Sequence, residues 1–284
     1  LGRVSPIKTF TSPTVKGGFH KIACNLCGAD DTRPYLQDKD YLFVRCRSCG
    51  LVYQNPQPKP DEVALRYNDS YFNYEYSNED NFFNLMLLGL ADAGFHNSEL
   101  ERWQDKTFLD IGCATGKLLA YMQNRNWKVR GVEICKESAE YGIKQRGVPI
   151  FIGTLPQAKL RSESFSLIHF SHLIEHVADP RALLAEVRRV LKPGGRVIIT
   201  TPNCTGFQAR LFKNAWRSAI ADHLFLFSQK TLMRLLKSLQ FNIYKVVTWG
   251  GLAKGTAPQF LKKPADYLAK KLGVGDVVLF VVSK

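Results

Sequence analysis

One stretch constrains this chain more than any other: Thr107-Phe-Leu-Asp110-Ile-Gly112-Cys113-Ala114-Thr-Gly116-Lys-Leu-Leu119. A short apolar run ends in an acid, a glycine-bearing turn follows, and a helical apolar pattern begins. Alternation continues from there. Strands are expected at 107–111, 128–133, 148–152, 165–170 and 196–200, with helices at 117–125, 136–146 and 180–191. A helix at 229–239 and strands at 243–248 and 276–282 close the chain. Strand–helix alternation at this spacing requires crossover connections, so a mostly parallel sheet with helices on both faces is expected. Residues 61–104 read as helical and unusually aromatic.

Ligands of open α/β sheets bind at the carboxyl ends of the strands, where glycines let backbone approach them. The dinucleotide pattern G-x-G-x-x-G is absent, since the glycines run Gly112-x-x-x-Gly116. An acid just before the turn, Asp110, would repel a pyrophosphate and favour an amine. The next strand ends in Glu133, and a carboxylate there can accept both hydroxyls of a ribose. Together they suit a ligand with an amino group and a ribose but no phosphate, as in S-adenosylmethionine.

Cys24-Asn-Leu-Cys27-Gly28 and Cys46-Arg-Ser-Cys49-Gly50 are two C-x-x-C-G units separated by eighteen residues. Four thiolates at this spacing fit tetrahedral zinc and leave no open coordination position, so the metal is expected to hold the fold. Two disulfides and rubredoxin-like iron are the other readings. Cys113, Cys135 and Cys204 read as small buried residues.

These features together resemble the class I S-adenosylmethionine-dependent methyltransferases. The family's D-x-G-x-G-x-G loop matches Asp110, Gly112 and Gly116, and its ribose acid matches Glu133. Its fourth-strand motif matches Phe165-Ser-Leu-Ile168 and Ile174-Glu-His-Val-Ala-Asp-Pro180. Its L-K-P-G-G turn is Leu191–Gly195, and its H-L-x-x-F-S-x-x-T-L pattern is His223–Leu232. The cysteine pairs followed by Gly50-Leu-Val-Tyr-Gln-Asn-Pro56 look like the zinc module of one branch, many of whose members act on saccharides or other small metabolites.

The resemblance implies a seven-stranded, mostly parallel Rossmann-like sheet plus a small zinc ribbon. It implies cofactor contacts from Asp110, Gly112, Cys113, Ala114, Gly116, Glu133, Ile134, Thr154, Leu155 and Ser171. Ala114 stands where the family prefers glycine, Ser166 where it has aspartate, and Thr154 where an acid often receives the adenine amino group. The domain expectation is a ribbon and proline-rich linker over 1–60, an aromatic lid over 61–104, and a methyltransferase domain over 105–284 with an acceptor-side insertion near 203–225. Tyr67, Tyr71 and Tyr74 are the lid candidates.

The acceptor side is read from histidines. His172 and His176 fall at the fourth-strand mouth, where neutral imidazole suits a base near pH 7. By resemblance to quinone-type and small-RNA methyltransferases, His172, Glu175, His176 and His223 could instead hold a divalent metal at the acceptor hydroxyls. The spelling His172-x-x-Glu175-His176 also matches an inverted zinc-protease motif, but that site needs a long helix and not a strand end. His169 lies within a strand and reads as packed.

The net charge is +14, from 39 Lys and Arg against 25 Asp and Glu. Residues 203–284 alone hold thirteen basic residues against three aspartates. Phe207, Leu211, Phe212 and Trp216 interleave with Arg210, Lys213 and Arg217, which reads as a basic amphipathic helix over 207–217. The resemblance implies a small-molecule, saccharide or lipid-linked acceptor, with O-methylation favoured, and the basic segment suits a phosphate-bearing acceptor or peripheral membrane contact. RNA is the rival acceptor, and a degenerate S-adenosylmethionine-binding protein the non-enzymatic rival. No apolar run approaches the roughly 18 residues of a membrane span. The first 21 residues, with Arg3, Lys8, Lys16 and Lys21, lack the apolar stretch of a signal peptide. A cytoplasmic protein is expected.

Overall fold

The computed structural model describes residues 18–250 and 259–284; Arg3, Lys8 and Lys16 lie outside them. In chain order the main elements are β1 (Thr32–Asp38), β2 (Tyr41–Cys46), β3 (Val52–Gln54), α1 (Asp69–Ala93), β4 (Thr107–Ile111), α2 (Lys117–Gln123), β5 (Lys128–Glu133), α3 (Lys136–Arg146), β6 (Ile150–Ile152), β7 (Phe165–Ser171), α4 (Pro180–Val190), β8 (Leu191–Pro202), β9 (Phe225–Leu226), α5 (Gln229–Ser238), β10 (Asn242–Trp249), α6 (Gln259–Leu272) and β11 (Val277–Ser283).

Seven strands form one sheet in the order β10-β11-β8-β7-β4-β5-β6. The pairs from β8 through β6 are parallel, and β11 runs antiparallel between β8 and β10. The expected sheet is therefore present. Alternate residues of each strand enter different cores, as the two-residue period of a strand demands. Leu109, Ile168, Ile199 and Phe280 join Leu184, Val187, Leu232 and Leu236 of α4 and α5. Phe108, Leu167, Ile198 and Leu279 join Leu90 of α1 and Leu118, Leu119 and Met122 of α2. Strands covered on both faces need continuous apolar runs, which is how β4, β7 and β8 read.

Helix ends follow local chemistry. Asn68 caps α1 through its side chain, and Gly94 ends it in a left-handed conformation. Asp179 caps α4 ahead of Pro180, and Ser228 and Thr231 form a capping box on α5.

A second sheet has the order β9-β3-β2-β1. Its first strand comes from the far side of the sequence: Phe225–Leu226 pairs antiparallel with Tyr53 and Val52. Cys24, Cys46, Leu51 and Tyr53 sit in the same core as Leu109 and Ile168. The proline-rich segment is no free spacer, because Gln57–Pro58 pairs with Phe19–His20 and both of its residues are buried.

The segment 207–217 corrects the expected amphipathic helix. Only Phe207–Phe212 is α-helical, followed by one 3-10 turn at Lys213–Ala215. Trp216 turns inward, 2% exposed, and donates its indole N–H to Asp276, which also takes Arg217 at 2.8 Å. Buried Asp276 draws Trp216 off the surface face that the periodicity suggested, while exposed Arg217 reaches the same carboxylate from solvent.

Candidate cofactor and acceptor site

The glycine loop lies at the carboxyl end of β4. Gly112 and Gly116 both adopt positive φ, at 69° and 71°. A Cβ on Gly116 would stand 2.8 Å from Val148 and 3.1 Å from Ile150, so a side chain there is blocked by packing as well as by backbone. Ala114 also has positive φ, 46°, which explains the family preference for glycine at that position. Cys113 is buried beneath the loop.

Glu133, 5% exposed, ties this loop to the next strand tip. One carboxylate oxygen accepts the Ala114 N–H at 2.9 Å and the other the Cys135 N–H at 2.8 Å. Each oxygen keeps a further lone pair for a hydroxyl donor. Burial pushes its carboxyl up; the backbone N–H donors work the other way. Ile134, beside it, is exposed.

Asp110 stands one residue from the end of β4. It is 2% exposed and accepts from His169 Nδ1 at 2.7 Å, with both groups buried. The acid before the turn is thus tied to β7 through one of its oxygens. Ser166 fills the place of an aspartate by receiving the Trp103 indole N–H and bonding Thr107. Thr154 is exposed and donates its hydroxyl to Gln157, whereas Leu155 is buried in the core. Ser171 is half-buried at the end of β7.

The aromatic segment lies over these tips along one row at four-residue spacing. At one end Glu79 takes Arg146 at 2.9 and 2.8 Å and the Thr115 hydroxyl at 2.8 Å. Arg146 also donates to the Thr115 carbonyl at 2.7 Å, so the row is clamped to the end of the glycine loop. Glu75 and Tyr71 follow, bonded to each other and close enough to Glu133 to feel its charge. Tyr67 ends the row, its ring 5.0 Å from Tyr71, within the fields of Glu133, Asp222 and Glu175. Burial, with these acids, pushes both phenols up, so they stay neutral hydroxyls. Tyr74 lies off the row against Phe82, 5.9 Å between centroids.

At the end of β7 the acceptor-side residues converge. His172 has positive φ, 52°, and its Nδ1 meets Glu175 Oε1 at 3.1 Å. Glu175 is 1% exposed; its other oxygen accepts the Thr201 hydroxyl at 2.9 Å. Burial opposes its charge, but the His172 hydrogen bond and the three histidines around it hold its carboxyl down at about 2. His176 Nδ1 faces the Asp222 carbonyl at 3.1 Å and His223 Nδ1 the Ser218 carbonyl at 2.8 Å. Their rings meet edge to face, 4.6 Å apart. Burial drives the His223 imidazole down to about 3, so it is neutral.

A family model described as a methyltransferase domain matches residues 91–246, more than half of the chain. The chain belongs to the methyltransferase domain family. Its sheet is that of the class I S-adenosylmethionine-dependent methyltransferases. A ubiquinone biosynthesis O-methyltransferase of Idiomarina loihiensis is 31% identical over 118 residues, 39% of this chain and 48% of that one. An uncharacterized protein of Methanocaldococcus jannaschii is 30% identical over 139 residues, 48% of this chain and 65% of that one. The chain thus spans about half to two thirds of the length of these relatives. A Thermotoga maritima structure described as an S-adenosylmethionine-dependent methyltransferase, possible histamine N-methyltransferase, matches with TM-score 0.54 and 22% identity over 75% of this chain and 97% of that one. At that identity the likeness is one of fold.

The chain also carries its four cysteines as one cluster. Cys24 and Cys49 sulfurs lie 3.4 Å apart, Cys27 and Cys46 3.6 Å, and all four ligand atoms fall within 4.8 Å of one another. A zinc ion with bonds of about 2.3 Å spaces tetrahedral sulfurs about 3.8 Å apart, so the donor set fits. Gly28 and Gly50 turn each knuckle with φ of 77° and 83°. Gln54, one strand further on, donates to the Ala221 carbonyl at 2.8 Å and the His223 carbonyl at 2.9 Å. The ribbon therefore holds the segment that carries an acceptor-side histidine.

Glu75, Glu79 and Arg146 escaped the sequence reading. The signal available was the row Tyr71, Glu75, Glu79, whose i, i+4 spacing puts all three on one face of α1, with Tyr67 just ahead of the N-cap Asn68.

Proposed function

We propose that this methyltransferase moves the methyl group of S-adenosylmethionine to a hydroxyl of a small-molecule acceptor. The observation that carries the reading is the meeting of two sets of side chains over adjacent strand tips. The glycine loop with Glu133 forms one, and the His172–Glu175 pair with His176 and His223 forms the other. S-adenosylmethionine supplies an electrophilic methyl on a sulfonium, so the protein's work is alignment and removal of the acceptor proton. Glu133 takes the ribose hydroxyls, and the loop from Gly112 to Gly116 gives the cofactor a close backbone bed.

His172 is the proposed base. Its Nδ1–H is held by Glu175, which fixes the ring and leaves Nε2 to accept a proton, and Thr201 in turn fixes Glu175. Tyr67 and Tyr71, kept neutral, cover the site and exclude water. The relatives described as ubiquinone O-methyltransferases support a hydroxyl acceptor. A saccharide or a lipid-linked acceptor fits the same chemistry, and the basic excess after residue 203 suits a phosphate-bearing one or contact with an anionic membrane surface.

A second reading rests on the ring nitrogens. His176 and His223 both present Nδ1 to a backbone carbonyl, which leaves Nε2 as the lone-pair donor, and Glu175 lies with them. That is the outer support expected of metal-bound imidazoles. A divalent cation held by Glu175, His176 and His223 would lower the pKa of an acceptor hydroxyl.

The test is transfer of label from methyl-labelled S-adenosylmethionine to a panel of phenols, catechols and sugars. The reading expects turnover with a hydroxylated acceptor, and a 10²–10⁴-fold lower kcat in His172→Gln with little change in cofactor KM. Loss of turnover in EDTA, restored by a divalent cation, would select the metal reading. Labelling of RNA alone, with steep salt dependence, would overturn the small-molecule acceptor.

A further inference from the structure

We infer that Glu79 and Arg146 are positioning residues for the cofactor: through Thr115 they hold the far end of the glycine loop in its binding shape, and so couple the seating of α1 to cofactor affinity. The inference rests on the methyltransferase reading of this site.

The loop is a segment whose shape has to be imposed. Gly112, Ala114 and Gly116 all hold positive φ within five residues. Glycine reaches many other conformations at equal cost, and alanine is strained in this one. Groups outside the loop must therefore select its shape. At Ala114 the selecting group is Glu133, which accepts the backbone N–H at 2.9 Å. At Thr115, 2% exposed, it is the pair Glu79 and Arg146. The Thr115 hydroxyl donates to Glu79 Oε2 at 2.8 Å, and the Thr115 carbonyl accepts Arg146 Nη1 at 2.7 Å. Arg146 Nη2 closes the triangle on both Glu79 oxygens, at 2.9 and 2.8 Å.

The three residues come from three parts of the chain: α1, the loop, and the last residue of α3. A guanidinium can hold a carbonyl with one nitrogen and a carboxylate with the other, which an ammonium does not do in fixed geometry. The Arg146 and Glu79 side chains are only 15% and 19% exposed, so the pair is screened less than a surface one. Thr115 is also pressed against α3, since a Cβ on Gly142 would stand 2.9 Å from its carbonyl oxygen. Separately, Tyr76 and Phe72 of α1 pack on Tyr141 of α3, with ring centroids 5.0 and 5.9 Å apart. These ring contacts keep α1 seated when the clamp alone is cut, so positioning and folding can be separated.

By linkage, a ligand that needs the shaped loop tightens the clamp by the same factor with which the clamp tightens the ligand. α1 should therefore be held harder in the complex than in the free protein.

The experiment is calorimetry with S-adenosylhomocysteine on wild-type protein, Glu79→Gln, Thr115→Val and the double variant. Thermal melting and hydrogen exchange along α1 are measured on each. The dissociation constant should rise roughly 5- to 50-fold in each single variant. The double variant should bind no more weakly than the weaker single one, because both changes cut the same link. Saturating ligand should slow exchange of the α1 amides in wild-type protein, and slow it far less in Glu79→Gln. Arg146→Lys, which keeps the charge but loses the fork, should match Glu79→Gln, and it carries the same comparison should that variant not fold. Unchanged affinity in these variants overturns the inference, even with a lower melting temperature, because the clamp would then fasten the fold alone. Losses that multiply in the double variant also overturn it, since the residues would then act apart. Wild-type protein that does not bind the ligand overturns the methyltransferase reading itself.

Discussion

Two residues of the cofactor loop show how backbone and side chain divide the work. Ala114 holds a left-handed conformation that an L side chain adopts at a cost of about 1 kcal/mol. Replacing it with glycine should stabilise the protein slightly, by up to about 0.5 kcal/mol, since strain relief just exceeds the added freedom of the unfolded chain. A chemical denaturation midpoint that falls in Ala114→Gly would contradict this. Gly116→Val should do the opposite. Its branched side chain would meet Val148 and Ile150 in a conformation it disfavours, costing several kcal/mol and emptying the cofactor site. At this scale the sequence was legible wherever the signal was local. Gly112, Gly116 and Glu133 could be read because a strand, a turn and an acid adjoin one another. The bond between Asp110 and His169 could not be read, because the two lie 59 residues apart and parallel strands become neighbours only after the crossovers have formed.

The ribbon is the element whose part in the site the sequence did not show. Its cysteine spacing pointed to a four-sulfur metal cluster, but nothing local indicates that Phe225–Leu226 completes its sheet or that Gln54 grips the backbone of Ala221 and His223. Removing zinc should therefore lower methyl transfer more than it lowers cofactor affinity. The structure predicts one zinc per chain, released by a mercurial and counted with a chromogenic chelator. Turnover should then fall at least tenfold while S-adenosylhomocysteine still binds. Full activity in the stripped protein would show that the ribbon does not hold the acceptor side. Gln54→Ala is the milder version, leaving two buried carbonyls without their donor at about 1–3 kcal/mol and slowing transfer. The segment 207–217 failed as an amphipathic helix for a similar reason. Its period was correct, but buried Asp276 lies far along the chain and claims Trp216 and Arg217.

Across the whole molecule, three parts separated in sequence meet at one edge of the seven-stranded sheet. The strand tips provide the proposed cofactor bed, α1 lies over them, and the segment held by the ribbon brings His223 beside Glu175 and His176. The sheet itself was readable because its central strands carry apolar runs and most crossovers carry a helix, the connection from β6 to β7 excepted. The central claim is that Glu133 and the adjoining glycine loop bind the adenosyl group. The most direct measurement is the dissociation constant of S-adenosylhomocysteine for wild-type protein and for Glu133→Gln, with thermal melting as a check on folding. Glu133→Gln puts an amide N–H₂ where two backbone N–H groups and a ribose diol need acceptors, so affinity should fall about 100-fold or more with the fold intact. Equal affinity in the two proteins, or none in either, would contradict the account.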